Sequence, residues 1–377
     1  MFPSQLREDA SLGRGGVKPT DDVLRSPRKL SKKHYTQTFM NLKDNKYAQY
    51  ALVQEMMGTV PTVEKFDPDC TKEIAEKVAK AGRLFFSGEG SSRIFPSKNA
   101  SRKAKTWGLD LNIQTEGARQ AAQYDLSKFA VCLASNSGRT KETLLLARKL
   151  KAEGNELRFG LTANPGTLLE EACTSTHVLN CGWENAVAAT KSVVEQALWA
   201  ESILWNIAGK DMKAELAKLP AQIEAALTLP VPEEVVKLAM NASTIYFAGY
   251  NDGVAEELTL KTNEITRRKS DFLEGTYAVH GIEEVMESSD VVFVVDPIEE
   301  EIEKFQDVLE KNANVHVVAI ADHDTPFTTI KVPSVGALQP YIYLCAGWNV
   351  LVEIGIAEGI NLDKPTRARK VGNEIQG

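Results

Sequence analysis

The chain has 377 residues, 43% of them hydrophobic and 25% charged, a length and balance that allow two domains of ordinary size around a large core. Its 44 Lys and Arg against 51 Asp and Glu give a net charge of −7, which disfavours a general nucleic-acid or anionic-membrane partner, so any bound anion must be held by a local site. Cys70, Cys132, Cys173, Cys181 and Cys345 form no CxxC pair and read as cytosolic thiols. No apolar stretch reads as long enough to span a bilayer, and the first ten residues lack the charged-then-apolar pattern of a secretory signal, so a cytoplasmic protein is expected.

Residues 1–45 contain Gly13, Gly15 and Gly16 with Pro3, Pro19 and Pro27, and show little periodicity before Lys43. They are expected to form an arm that packs along a partner subunit; a basic nucleic-acid tail is the second reading. A helical stretch begins at Lys46 and runs through Met56 and Met57, and a second helix over 71–81 ends at Gly82, a helix stop. The first strand follows at 83–86. The apolar runs 129–135, 157–163 and 176–181 then alternate with helical segments, the pattern of parallel strands joined by right-handed helical crossovers. The plan repeats, because 243–249 matches 82–88 in residue type and 290–296 matches 129–135, both at an offset of 161 residues. Gly249 thus falls on Gly88 and Asp296 on Ser135. Two doubly wound α/β lobes are expected, over 46–215 and 216–377, joined by a helix-rich stretch from about Ser192 to Leu238 punctuated by Pro220, Pro230 and Pro232.

Between the run at 129–135 and the amphipathic helix after it lies Ala134-Ser135-Asn136-Ser137-Gly138-Arg139-Thr140-Lys141-Glu142-Thr143. A loop of this composition entering a helix N-terminus offers free N–H groups, hydroxyls and the positive end of the helix dipole to an anion, without a Walker-type lysine. Any one of these residues alone would read as an ordinary N-cap. The matching strand end of the second lobe, Asp296-Pro297-Ile298-Glu299-Glu300, would repel an anion, so only one lobe is built for it. The earlier loop Gly88-Glu89-Gly90-Ser91-Ser92-Arg93 lacks the third glycine of a dinucleotide fingerprint and has Arg93 where helix–strand packing needs a small residue. No nucleotide cofactor is expected; Ser91 and Ser92 suit sugar hydroxyls.

Three segments together, Gly88 to Ser92, Ser135 to Thr143, and Glu184-Asn185-Ala186-Val187-Ala188-Ala189-Thr190-Lys191-Ser192, resemble the sugar isomerase (SIS) domain family. The likeness is greatest to the isomerase half of glucosamine-6-phosphate synthase and to stand-alone relatives that isomerise, deaminate or deglycate sugar phosphates. Over about residues 46–377 the resemblance implies two SIS lobes, each a flavodoxin-like parallel sheet flanked by helices, with an N-terminal arm and a C-terminal tail. It also implies a homodimer with active sites at the subunit interface and no cofactor. Ser135, Asn136, Ser137 and Thr140 would hold the phosphate, while Ser92 and the backbone at Val187 touch the sugar. Arg139 stands where the synthase is often acidic, which leaves phosphate against sulfonate open. No glutaminase-like segment precedes the lobes, so amide transfer from glutamine is not expected.

Glu257, Lys261 and Glu264 fall at i, i+4 and i+7 on one helix face. By itself that spacing reads as a solvent-exposed salt-bridged stripe. The resemblance implies more: Glu264 shuttles the proton, His280, 16 residues later, opens the sugar ring, and Glu257 and Lys261 belong to the substrate-binding set. A carboxylate is a sensible base, because moving a proton between C1 and C2 through a cis-enediol needs one group that reaches both carbons. The basic tail would supply Lys370, five residues after Pro365, to close the site, form an imine with the open-chain sugar or stabilise an enediolate. No His, Cys or carboxylate cluster has metal-ligand spacing. His316 and His323 read as strand and turn surfaces, and His34 and His177 have no motif around them. The expected function is an aldose–ketose isomerase acting on a phosphorylated or similarly anionic sugar. An amino-sugar-phosphate deaminase or deglycase is the alternative, and a non-catalytic sugar-phosphate sensor is third.

Overall fold

In the computed structural model residues 39–370 and 373–375 are described; the expected arm lies outside the described residues up to position 38. The first lobe is built on β1 (Arg83–Gly88), β2 (Asn112–Gly117), β3 (Ala130–Ala134), β4 (Arg158–Thr162) and β5 (Ser175–Val178), all parallel and in the order β2-β1-β3-β4-β5. The second uses β6 (Ile245–Gly249), β7 (Ser270–Glu274), β8 (Val291–Val295), β9 (His316–Ala321) and β10 (Thr328–Lys331) in the order β7-β6-β8-β9-β10, again parallel. The two sheets are therefore the same five-strand arrangement, and the 161-residue offset carries β3 onto β8 end for end. Strands β3, β4, β6 and β8 are buried at every residue, as near-continuous apolar runs between helix layers must be. Of the strands outside the six runs read from the sequence, β2, β7 and β10 lie at sheet edges, where polar residues such as those of Asn112-Ile113-Gln114-Thr115-Glu116 are tolerated, while β9 is internal and apolar.

Six helices position the site or hold the lobes together: α1 (Lys72–Ala81), α2 (Ile94–Thr106), α3 (Lys141–Ala152), α4 (Lys191–Ile207), α5 (Val254–Lys261) and α6 (Gln339–Ala357). Helix α1 ends as expected at Gly82, in the left-handed conformation with φ 65° that glycine adopts without strain. Helix α4 opens the stretch expected to be helix-rich from about Ser192. Every residue from Ser192 to Trp205 is buried, and α4 packs along α2. Its apolar residues from Val193 to Trp205 face every side, and its buried Glu195, Gln196 and Glu201 are each hydrogen-bonded, which lets the whole helix lie inside the core. Helix α6 corrects an expectation, since it is long and apolar enough to cross a membrane by length and composition; 83% of its apolar window is nevertheless buried inside the protein. One core cluster joins Leu84, Phe86 and Cys132 of the first sheet to Phe247, Phe293 and Ile320 of the second through α4 and α6.

That apolar seam contains one polar knot. The Glu201 carboxylate on α4 is fully buried and pairs with the Lys103 ammonium of α2. It also accepts from Asn99 Nδ2 at 2.7 Å, Tyr341 Oη at 2.9 Å and Trp205 Nε1 at 2.8 Å. Three helices are thereby tied at one carboxylate.

Candidate active site

Strand order reverses between β1 and β3, and the loops leaving their carboxyl ends part there to form the crevice in which open α/β sheets bind ligands. A cavity of about 440 Å³ occupies this crevice. Its lining brings together Ser92, Asn136, Ser137, Thr140, Val187, Lys261, Glu264 and Lys370, residues far apart in the chain that the sequence singles out. A wider groove of about 630 Å³ lies elsewhere, beside Asp69, Lys72 and Lys213. There Lys213 Nζ lies 2.6 Å and Lys72 Nζ 3.0 Å from Asp69 Oδ2, and none of the loop residues reaches it.

The anion loop is held from beneath. Ser135 is buried and its Oγ lies 2.8 Å from Thr140 Oγ1, which orients the threonine at the start of α3. The Asn136 side chain is fully engaged: Nδ2 donates to Ser192 Oγ at 2.7 Å and Oδ1 accepts from Gln196 Nε2 at 2.5 Å. Its carbonyl accepts from the Ala163 N–H at 3.0 Å and Thr162 Oγ1 at 3.2 Å. Ser135 and Asn136 therefore shape the loop, while Ser137 and Thr140 line the cavity; of the first-turn N–H groups of α3, that of Lys141 is taken by the Asn373 carbonyl, and those of Glu142 and Thr143 have no intrahelical acceptor. Gly138 has φ 62°, and a Cβ there would fall 2.3 Å from Thr167 Cβ. Gly138→Ala combines left-handed strain of about 1–2 kcal/mol with that collision, so inorganic phosphate is expected to bind about tenfold more weakly by calorimetry. Unchanged affinity would remove the loop from the anion site. In the second lobe the equivalent Asp296 accepts from Tyr343 Oη at 3.1 Å, and burial raises its carboxyl pKa.

The face carrying Glu257, Lys261 and Glu264 is not a solvent stripe. Glu257 and Lys261 are fully buried, because α5 packs between α6 and β6. Lys261 Nζ lies 3.3 Å from Glu257 Oε1 and 2.8 Å from Glu264 Oε2, and it donates to Ser91 Oγ of the first lobe at 2.7 Å. Burial opposes the Lys261 charge, but Glu264 and Glu257 outweigh it and hold the ammonium pKa above its usual value. Glu257 lies outside the cavity lining, behind Lys261, and burial raises its carboxyl pKa. After Lys261 the helix widens into a π turn over Thr262–Thr266, a feature frequent at functional sites, and this turn carries Glu264 with its side chain 25% exposed.

The C-terminal tail lies along the anion loop. The Lys141 N–H donates to the Asn373 carbonyl at 3.0 Å and the Ile375 N–H to the Arg139 carbonyl at 3.1 Å. This course brings Lys370 Nζ to the Ala186 carbonyl at 2.6 Å and within 3.9 Å of Glu184 Oε2. Burial lowers the Lys370 pKa, against the pull of Glu184 and Glu55. His280 does not join this cavity: it is exposed, with Nε2 3.3 Å from Lys304 Nζ, and is flanked by the exposed Tyr277 and Val285. Residues without an assigned role also line the site, chiefly Trp183, Glu184, Glu89 and Glu142. Glu184 is buried and accepts from the Thr190 N–H at 2.8 Å and from Ser192 Oγ, which fixes the turn of the third motif. Its only signal in the sequence is an acid preceding the small-residue run Asn185 to Thr190.

No family model matches the chain. Over 325 residues, 78% of this chain and 51% of the relative, it is 26% identical to the isomerizing glutamine–fructose-6-phosphate aminotransferase of Aeropyrum pernix. The chain spans about half the length of the curated relatives it matches. It superposes with a TM-score of 0.70 at 18% identity on the C-terminal domain of glucosamine-fructose-6-phosphate aminotransferase from Francisella tularensis, covering 85% of this chain and 99% of that one. The chain has the double SIS fold. The glucosamine-6-phosphate deaminase of Thermotoga maritima shares the SIS fold with a TM-score of 0.65 at 19% identity, again covering 85% and 99%. The three motifs that carry the SIS resemblance line the 440 Å³ cavity.

Proposed function

We propose that the chain is a sugar-phosphate aldose–ketose isomerase working through a cis-enediol. The observation that carries this reading is the meeting of an anion loop from one lobe and Glu264 from the other in a single cavity, bridged by the Lys261–Ser91 hydrogen bond. The phosphate sits at Ser137, Thr140 and the N-terminus of α3, which directs the sugar's other end toward Glu264. Glu264 takes a proton from C2 of the open-chain aldose and returns it to C1, general acid–base catalysis of a kind that contributes about 10²–10⁴-fold. The Lys261 ammonium 2.8 Å from Glu264 supplies positive charge, and Lys370 a hydrogen bond, for the enediolate oxygens.

His280 opens the ring from a second copy of the chain on this reading, which favours a homodimer whose active site is completed at the interface. The position of His280 outside its own cavity, between the exposed Tyr277 and Val285, supports that arrangement. The cytoplasm, where phosphorylated sugars are made and consumed, is the matching location. Deamination of an amino-sugar phosphate is the second reading, favoured by Lys370: an amine with a lowered pKa is the group that forms an imine with a sugar carbonyl.

A time course in D₂O followed by NMR, with hexose phosphates, hexosamine phosphates and sulfonated sugars as substrates and ammonia assayed in parallel, tests both readings. Interconversion of aldose and ketose with deuterium appearing at C1 or C2 and no ammonia supports the isomerase. Ammonia released in step with ketose supports the deaminase, and no turnover of any sugar overturns both.

A further inference from the structure

Trp183 is half exposed at the cavity wall, and it is the one aromatic side chain among the described residues that line the cavity. An exposed tryptophan on a surface is ordinary. This one differs in how firmly the chain presents it. On one side the Asn180 and Cys181 N–H groups both donate at 2.7 Å to the buried Glu195 carboxylate, and Gly182 then turns the chain at φ 65°. On the other side Glu184 is locked by Thr190 and Ser192. The backbone is pinned immediately before and after an indole that packs into neither core.

The rest of the lining explains what such an indole is for. Hydroxyls, a carboxylate and a lysine nitrogen from Ser91, Ser92, Ser137, Glu264 and Lys370 meet the oxygens of a sugar phosphate. A sugar ring also has a face of C–H bonds, apolar and slightly positive, which those groups would leave poorly covered. The negative face of an aromatic ring is its complement.

We propose that Trp183 stacks on the C–H face of the ring form of the substrate and so selects cyclic sugar phosphates for entry. This inference rests on the sugar-phosphate reading of the cavity. A rigid aromatic surface adds little ordering cost on binding, which is why tryptophan so often carries affinity. The phosphate loop then holds the anion, and the indole holds the ring until it opens.

The other tryptophans, Trp107, Trp199, Trp205 and Trp348, are buried or half-buried, so ligand at the cavity should be visible in the emission of Trp183 alone. The full chain and its Trp183→Phe and Trp183→Ala variants are titrated with glucose 6-phosphate, fructose 6-phosphate and inorganic phosphate, by fluorescence and by calorimetry. Sugar phosphate is expected to change the emission of the wild type and to leave that of Trp183→Phe unchanged, while inorganic phosphate changes neither. Trp183→Ala should bind sugar phosphate about tenfold more weakly with phosphate affinity retained, and Trp183→Phe should restore most of the loss. In turnover the Trp183→Ala loss should fall on KM more than on kcat. Undiminished sugar-phosphate binding by Trp183→Ala would overturn the stacking role, as would an affinity loss that tracks dissociation of the oligomer in sedimentation. Failure of the wild type to bind any sugar phosphate would instead overturn the isomerase reading beneath it.

Discussion

Glu264→Gln chains are expected to bind sugar phosphate with nearly wild-type affinity and to turn it over at least about 10²–10⁴-fold more slowly. The substitution keeps the shape of the side chain in the π turn over Thr262–Thr266 and removes the group that accepts a proton from carbon. The Lys261 ammonium retains Glu257 and Ser91 as partners, so the local packing survives. Normal turnover would sink the proposed mechanism. The same variant tests the placement of His280, because the two residues do not meet in one chain. If a second copy supplies His280, mixing Glu264→Gln with His280→Asn chains leaves one intact site in each hybrid dimer, and activity should recover to about a quarter of wild type on random exchange. No recovery in mixtures shown to exchange would assign His280 to some other role.

Glu201→Leu is expected to lower stability by about 3–5 kcal/mol, read as a shift of the urea midpoint with little change in slope. The cost arises less from the lost carboxylate than from what it leaves behind. The buried Lys103 ammonium would keep one hydrogen-bond acceptor, the Ala337 carbonyl, beside the faces of Trp107 and Trp205, and Asn99, Tyr341 and Trp205 would each lose an acceptor within the seam between the lobes. Replacing Lys103 by Met at the same time removes the stranded charge and should recover part of the loss. A double variant no better than the single one would show that the knot is not held by its ion pair.

The alternation of apolar runs with helical segments fixes a parallel α/β plan because each run needs two helix layers to cover it, and β1, β3, β4, β6 and β8 were legible for that reason. The repeat at 161 residues carries the second lobe, and the loop Ser135 to Thr143 announces an anion site through hydrogen-bonding chemistry that is local to a few residues. Edge strands β2, β7 and β10 stayed silent, since an edge need not be apolar. What local pattern cannot carry is the partner of a side chain distant in the chain. Only the folded structure decides that Glu257 and Lys261 are buried rather than solvated, that Asn136 braces the loop, and that α4 and α6 lie in the core. It alone lays the tail along the anion loop to deliver Lys370, leaves His280 outside the cavity, and sets Trp183 at its wall. The sequence by itself thus determines the apolar elements of the plan and points to a kind of chemistry, both written in neighbours within a few residues. The tertiary structure determines burial and convergence, which depend on contacts between segments a hundred or more residues apart.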